Sequence, residues 1–241
     1  MPLAVYVKEN TAAKIARAKK KDRTFSIALS AIGILAILFA AWPYLSWQII
    51  TLPKLTSKIN QIPIPQREVI SGTSIPTSDV QIISEPDGFS YFTTDFKPQE
   101  IRPKEFSLSI PKLKIEKAKV KVDSTNFSQN LALFPGTAIP GNIGNAFITG
   151  HSVLPQFNDP ANYRAIFTKL STLEVGDDVY VQLEDQTLHY TVLYSKIVEP
   201  KDLSVLSPIS PNGKNLTLMT CVPPGSSTKR LVVITSLLST K

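Results

Sequence analysis

The pattern of hydrophobic and polar positions divides the chain after its N-terminal segment into three zones. Residues 24–53 carry no charged side chain, and residues 25–42 (FSIALSAIGILAILFAAW) are almost entirely apolar. The next zone, residues 48–105, contains seven prolines and shows little periodicity. From about Phe106 onward, short apolar or alternating runs are separated by turn residues, which is typical of β-strands.

The uncharged zone predicts one transmembrane helix over residues 25–47. Its length is sufficient to cross a hydrocarbon layer, and Trp42, Tyr44 and Trp47 are suited to a membrane–water interface. Residues 1–24 carry five of the seven net positive charges, so we expect a basic cytoplasmic tail. The remaining chain is then extracytoplasmic, and the protein is a single-pass protein of the cell membrane.

Three alternatives to this interpretation are disfavoured. A cleavable signal peptide usually has a shorter apolar core, and no A-x-A pattern follows this one. A buried core helix is unusual beside so many cations. Nucleic-acid binding requires basic charge on a folded face, whereas most of it lies in a tail here, despite the pI of about 9.4.

The proline-rich zone predicts a stalk or linker over residues 48–105. Segments such as IPIPQ and SGTSIPTSD are typical of linkers, because proline interrupts both helices and strand ladders. A flexible coil of this length spans roughly 40 Å root-mean-square. The stretch GFSYFTTDF (Gly88–Phe96) is aromatic enough to pack against a neighbouring domain.

Residues 106–241 are expected to form one catalytic domain of the all-β class, because short strands in this number favour a closed barrel or a sandwich. Only residues 163–173 (YRAIFTKLSTL) suggest a helix, of one or two turns. The predicted strands are residues 106–115, 117–122, 145–153, 177–183, 187–198, 215–221 and 230–238.

Cofactor signatures are missing from the sequence. It contains no Walker loop and no G-x-G-x-x-G element, and one cysteine with two histidines is too few for a thiolate–imidazole zinc site. We therefore expect no cofactor. Calcium is possible but not supported, since the acidic residues of one region follow no fixed loop pattern: Glu174, Asp177, Asp178, Glu184 and Asp185.

Cys221 is the only cysteine, so it cannot form an internal disulfide. A lone cysteine is commonly a small buried hydrophobe, but a thiol next to a base or a positive charge becomes a nucleophile. Of the two histidines, His151 follows a predicted strand and precedes an irregular loop, whereas His189 lies inside a strand. We favour His151 as the base, because functional residues concentrate in loops at strand ends.

Arg230 begins the strand that follows Cys221, so an eight-residue loop can bring the two side chains to one rim. A guanidinium at that place can donate hydrogen bonds to the oxyanion formed when a thiolate attacks an amide. Cys221, His151 and Arg230 together therefore suggest an acyl-transfer site, although a rim salt bridge is an alternative role for the arginine.

The segment TLMTC followed by Arg230 resembles the TLxTC…R signature of sortases, the membrane-anchored cysteine transpeptidases of bacterial envelopes. Residues 134–152 (FPGTAIPGNIGNAFITGHS) resemble the family's segment that leads to its histidine, and residues 167–181 resemble the segment after it. The resemblance covers about residues 106–238. The segments ITGHSVLP and TKRLVV resemble the pilin-polymerising class of sortases more than the other classes, but the subclass is not assigned.

The resemblance implies a sortase-like closed eight-stranded β-barrel with one or two short helices. Cys221 attacks the Thr–Gly bond of an LPxTG-like sorting signal and forms a thioester. His151 transfers protons, Arg230 steadies substrate and oxyanion, and Thr220 helps to shape the substrate groove. The implied partners are LPxTG-like surface or pilin proteins and an amine acceptor such as a peptidoglycan precursor or a pilin lysine.

Three other functions stay open. A membrane-tethered cysteine endopeptidase differs only in using water as the acceptor. An L,D-transpeptidase usually has arginine directly after its cysteine, whereas Val222 stands here. A non-catalytic envelope-binding β-domain would contain Cys221 as a buried, inert thiol.

Overall fold

The computed structural model describes residues 11–51, 53, 80–84, 90–95 and 102–240, which belong to two compact units, residues 1–46 and 47–241. The first unit contains helix α1, Thr11–Ser46. Within α1, the segment Phe25–Trp42 is exposed, and it is long and apolar enough to cross a membrane. Much of the predicted stalk, residues 48–105, lies outside the described residues.

The second unit opens with a π-helical turn, Trp47–Thr51. A two-stranded antiparallel hairpin then consists of β1 (Val80–Ser84) and β2 (Ser90–Thr94). Its strands lie within the zone that the sequence predicts as stalk, and Phe92 of β2 is buried against the barrel. The end of this zone therefore contributes packed structure to the second unit.

The main body is a closed barrel of eight strands, which confirms the predicted sortase-like barrel. Around the barrel the order is β10-β8-β7-β3-β4-β5-β6-β9. Two of the pairs, β4 with β5 and β6 with β9, are parallel. The strands are β3 (Glu105–Ile110), β4 (Ile115–Lys121), β5 (Leu131–Leu133), β6 (Gly144–Thr149), β7 (Asp178–Leu183), β8 (Gln186–Val198), β9 (Lys214–Val222) and β10 (Lys229–Thr240).

Two details differ from the sequence prediction. The run 106–115 is interrupted, because a 3-10 turn at Pro111–Leu113 and a left-handed Lys114 (φ 58°) reverse the chain between β3 and β4. The predicted helix in 163–173 is a series of turns that ends in a 3-10 turn, Leu170–Thr172. Further 3-10 turns lie at Pro155–Phe157 and Leu203–Leu206.

Burial on both faces of the sheet fixes the position of β6, β9 and β10. One face packs into the barrel core, with Leu218 and Val233 fully buried. The opposite face is covered in part by the hairpin, so Phe147 and Val232 are fully buried too. This two-sided packing holds the carboxyl ends of β6 and β9 and the start of β10 at one rim of the barrel.

Candidate active site

Cys221 and Arg230 lie directly opposite each other on neighbouring strands. Strands β9 and β10 are antiparallel, and their register pairs Cys221 with Arg230 and Thr220 with Leu231. Directly opposed residues have Cβ atoms about 4.5–5.5 Å apart, so the thiol and the arginine side chain leave the sheet side by side. Arg230 is only 2% exposed, and its Nη1 donates to the carbonyl oxygens of Ser227 (2.8 Å) and Lys229 (3.0 Å).

The loop that bears His151 is fastened to the same end of β9. Strands β6 and β9 run in parallel as far as the pair Thr149–Met219. Beyond it, the Gly150 amide donates to the Met219 carbonyl (3.1 Å), and the Thr220 hydroxyl donates to the Gly150 carbonyl (2.9 Å). The Ser152 hydroxyl donates to the Cys221 carbonyl (2.7 Å). His151 is therefore held from both sides against the segment that carries the nucleophile.

Gly150 explains how this loop can approach the barrel so closely. A Cβ atom at this position would lie 2.6 Å from side-chain carbons of both Leu131 and Phe167, so any other residue would force these buried side chains to shift. The Phe167 amide also donates to the His151 carbonyl (3.0 Å). The His151 ring packs against Phe127, with ring centroids 4.3 Å apart. The backbone and ring of His151 are thus both constrained.

Burial controls the protonation of the thiol and the imidazole. It raises the pKa of Cys221, an effect that the positive charge of Arg230 partly offsets. It lowers the pKa of His151, and the positive charge of Arg164 lowers it further. Because both shifts favour the uncharged form, the resting site at neutral pH is mainly a thiol and a neutral imidazole.

A narrow groove, partly open to solvent, reaches Cys221. Cys221, Arg230 and Thr220 line it together, and Thr220 is 2% exposed. Much of the remaining lining is apolar, from Phe92, Phe127, Ala132, Phe134 and Met219, with hydroxyl groups of Ser124, Thr125 and Thr149 among them. Such a lining is suited to contact with apolar side chains of a ligand beside the thiol.

The other candidate residues lie elsewhere. His189 bonds the Asp178 carboxylate (Nε2 to Oδ1, 2.7 Å) and stacks on Tyr180, with centroids 4.7 Å apart. On β8 it pairs with Ser239, whereas Arg230 pairs with Val198, and nine positions of strand correspond to roughly 30 Å.

Three of the five acidic residues considered as calcium ligands are bonded to basic side chains. The carboxylates of Glu174 and Asp177 pair with Lys112 at 3.2 and 2.8 Å. Asp178 bonds His189, while Glu184 lies in the turn between β7 and β8. Among the described residues, no three side chains of histidine, cysteine, aspartate or glutamate converge as a metal site.

Three residues of the site were not found by sequence reasoning. Ser152 has a detectable signal, since it follows the candidate base directly. Phe127 lies in a segment without periodicity, and Phe92 lies in the predicted stalk, so neither has a local signal for its place in the groove. Only the folded barrel brings them to Cys221.

The barrel and the cysteine–histidine–arginine arrangement define a candidate thiol-dependent acyl-transfer protein. The sortase domain family matches residues 108–238, more than half of the chain. The chain therefore belongs to the sortase family, which is a family of transpeptidases. A search of the curated proteins found no match.

Solved structures of sortases are similar to the chain. A pilus-related sortase C of Group B Streptococcus is 30% identical, with 58% of this chain and 70% of that chain covered and a TM-score of 0.49. Sortase A from Corynebacterium diphtheriae is 28% identical, with coverage of 58% and 63% and a TM-score of 0.49. A sortase D5 transpeptidase of Clostridium perfringens is 24% identical, with coverage of 58% and 84% and a TM-score of 0.48.

Proposed function

We propose that this chain is a cysteine transpeptidase that cleaves an LPxTG-like sorting signal between threonine and glycine and transfers the acyl group to an amine. The observation that carries the proposal is the direct pairing of Cys221 with Arg230, beside a loop that fastens His151 to the same strand. These contacts support a site in which Cys221 is the nucleophile, His151 the base and Arg230 the cationic hydrogen-bond donor.

In the first half-reaction, the Cys221 sulfur attacks the threonine carbonyl carbon, and the thiol proton passes to His151. The carbonyl oxygen becomes an oxyanion, which Arg230 stabilises by donating a hydrogen bond. When the C–N bond breaks, the imidazolium of His151 gives its proton to the departing glycine amine. A thioester between Cys221 and threonine remains.

In the second half-reaction, an amine attacks the thioester carbonyl and gives a proton to His151. The C–S bond breaks, and Cys221 leaves as a thiol after it has received that proton. A new amide is the product, and the net reaction exchanges one amine for another. Water gives the acid instead, so transfer depends on a positioned amine and on restricted access of water.

The uncharged resting pair has a consequence for reactivity. A thiol with a raised pKa is a weak nucleophile until its proton moves, so Cys221 is protected from adventitious reaction when no substrate is bound. Attack requires the proton to pass to His151, and the positive charge of Arg230 favours the thiolate that forms. The reaction needs no cofactor in this scheme, because side chains supply the nucleophile, base and oxyanion donor.

The proposed location is the cell membrane, with α1 as a single span, a cytoplasmic N-terminus and the barrel outside. The exposed apolar segment Phe25–Trp42 and the basic residues before it support this orientation. The proposed substrates are LPxTG-like surface or pilin proteins. The proposed acceptor is an amine of the envelope, such as a peptidoglycan precursor or a pilin lysine.

The test uses the full-length protein in detergent with an LPxTG-containing peptide and an excess of a small amine, followed by intact-protein and peptide mass spectrometry. We expect an acyl adduct on Cys221, cleavage after threonine and an amine-capped product. Cys221→Ala should give none of these. Cys221→Ser is the matched control, because serine has nearly the shape of cysteine but is a much poorer nucleophile.

Two outcomes would change the proposal. Cleavage with only the free acid as product, even at high amine concentration, would identify an endopeptidase. Absence of any adduct across a library of sorting-signal peptides, together with slow alkylation of Cys221, would indicate a non-catalytic binding domain.

A further inference from the structure

We infer that Phe92, on the hairpin before the barrel, is a specificity-determining residue whose ring contacts an apolar side chain of the peptide on the amino-terminal side of the cleaved bond. The inference rests on the proposed function. It adds a substrate-contacting group from outside residues 108–238, the part of the chain that matches the sortase family.

The position of Phe92 in the groove carries the inference. Phe92 lines the same groove as Cys221 and Arg230, although it precedes them by more than a hundred residues. Within β2 it pairs with Ile82 of β1. A residue that shares a groove with the nucleophile is placed to touch a substrate bound at that nucleophile.

The Phe92 ring is held rigidly, as a specificity contact requires. Its centroid lies 6.2 Å from that of Phe134, with the rings nearly perpendicular at 83°, and 6.3 Å from that of Phe147. Phe134 and Phe147 also meet edge to face, at 6.4 Å and 87°. Edge-to-face packing of this kind fixes ring orientation, so Phe92, although only 6% exposed, presents one defined apolar surface where it lines the groove.

The chemistry of this part of the groove selects an apolar side chain. Phe92, Phe134 and Met219 form an apolar surface, and no acidic side chain is among the described residues that line the groove. A charged substrate residue there would lose its hydration without gaining a partner, whereas an apolar one gains by leaving water. The hairpin therefore adds selectivity to a reaction whose chemical groups all belong to the barrel.

The experiment is a double-mutant cycle between the enzyme and its substrate. The full-length protein, Phe92→Ala and Phe92→Leu are assayed with an LPxTG-type peptide and with variants in which each apolar residue before the threonine is replaced by alanine. We expect Phe92→Ala to raise KM on the order of tenfold for the parent peptide, and at most about twofold for the one peptide that lacks the contacting side chain. The kcat should change little, and Phe92→Leu should lie between.

Matched controls separate contact from folding. Ile83→Ala alters the same hairpin at a position that is 38% exposed and does not line the groove, so its KM should equal that of the unaltered protein for every peptide. The cycle is repeated with binding in place of turnover. Calorimetry gives the Kd of each peptide for the Cys221→Ala protein and for the Phe92→Ala/Cys221→Ala protein, neither of which can form the thioester.

The possible failures are distinguishable. If Phe92→Ala changes KM equally for all peptides, or not at all, Phe92 is only a packing residue and the inference is wrong while the transpeptidase proposal stands. If the unaltered protein forms no acyl adduct with any peptide, the proposed function fails, and this inference fails with it.

Discussion

Two regions of the barrel contain a histidine, and they differ in what surrounds the ring. His189 lies on the face of β8, bonded to Asp178 and stacked on Tyr180, and its side chain is 28% exposed. His151 lies in a loop after β6, partly buried against Phe127, with its neighbours bonded to the Cys221 segment. In the proposed mechanism we therefore assign the base by the proximity of its loop to Cys221 and not by a histidine–aspartate pair.

The largest expected effect comes from exchanging His151 for glutamine, with the same exchange at His189 as the matched comparison. His151→Gln should lower kcat/KM for transfer on the order of 10²–10⁴-fold, because it removes the group that moves protons in both half-reactions. His189→Gln should leave kcat/KM within about twofold. The measurement is steady-state transfer of a peptide to an amine, with circular dichroism to confirm that both proteins are folded. A larger loss from His189→Gln would reverse the assignment of the base.

The second-largest expected effect comes from replacing Arg230, which tests the contribution of its positive charge to the site around Cys221. Arg230→Gln should lower kcat/KM on the order of 10²–10³-fold, as for other single oxyanion donors. Because the positive charge of Arg230 opposes the rise in the pKa of Cys221, its removal should raise that pKa further. The pH midpoint for alkylation of Cys221 by iodoacetamide should then move to higher pH.

Arg230→Lys is the matched variant for this prediction. Lysine keeps the positive charge, so the alkylation midpoint should stay near that of the unaltered protein, while transfer stays impaired because the planar donor geometry is lost. An Arg230→Gln protein with an unchanged or lower alkylation midpoint would mean that the arginine does not act on the thiol.

The strand pattern predicts an all-β domain, either a barrel or a sandwich, because seven of the eight barrel strands have visible apolar or alternating runs. The closed eight-stranded barrel is implied by the resemblance to sortases. Strand β5 (Leu131–Leu133) has three residues, all buried, and is too short for any periodicity. The order of strands around the barrel, including the parallel pair β6–β9, depends on contacts between distant segments, which the local pattern does not contain.

The same reasoning explains which parts of the site could be predicted. Cys221 and Arg230 flank one short loop, so their meeting across β9 and β10 follows from the antiparallel hairpin geometry that the sequence already suggests. The aromatic stretch Gly88–Phe96 is expected from the sequence to pack against the domain, and Phe92 does join a buried cluster. Its place in the groove beside Cys221 could not be predicted, because that place depends on contacts between segments far apart in the sequence.

Among the residues of the site, Ser152 is expected to give the smallest loss of activity when it is replaced. This prediction concerns the hydrogen bond that distinguishes the surroundings of His151 from those of His189. Its hydroxyl is the link between the His151 loop and the Cys221 carbonyl, and no described contact gives His189 such a link. Ser152→Ala should lower kcat about tenfold with KM nearly unchanged, since a neutral hydrogen bond contributes about 1 kcal/mol and misplacement of reacting groups adds to the loss.

Ser152→Thr retains the hydroxyl and should restore most of kcat, which distinguishes a positioning role from loss of volume. The comparison is made by single-turnover formation of the thioester, so that product release does not mask the chemical step. Equal rates for the alanine and threonine proteins would show that the hydrogen bond does not position His151, and the loop would then depend on Gly150 and Thr220 for its place beside the thiol.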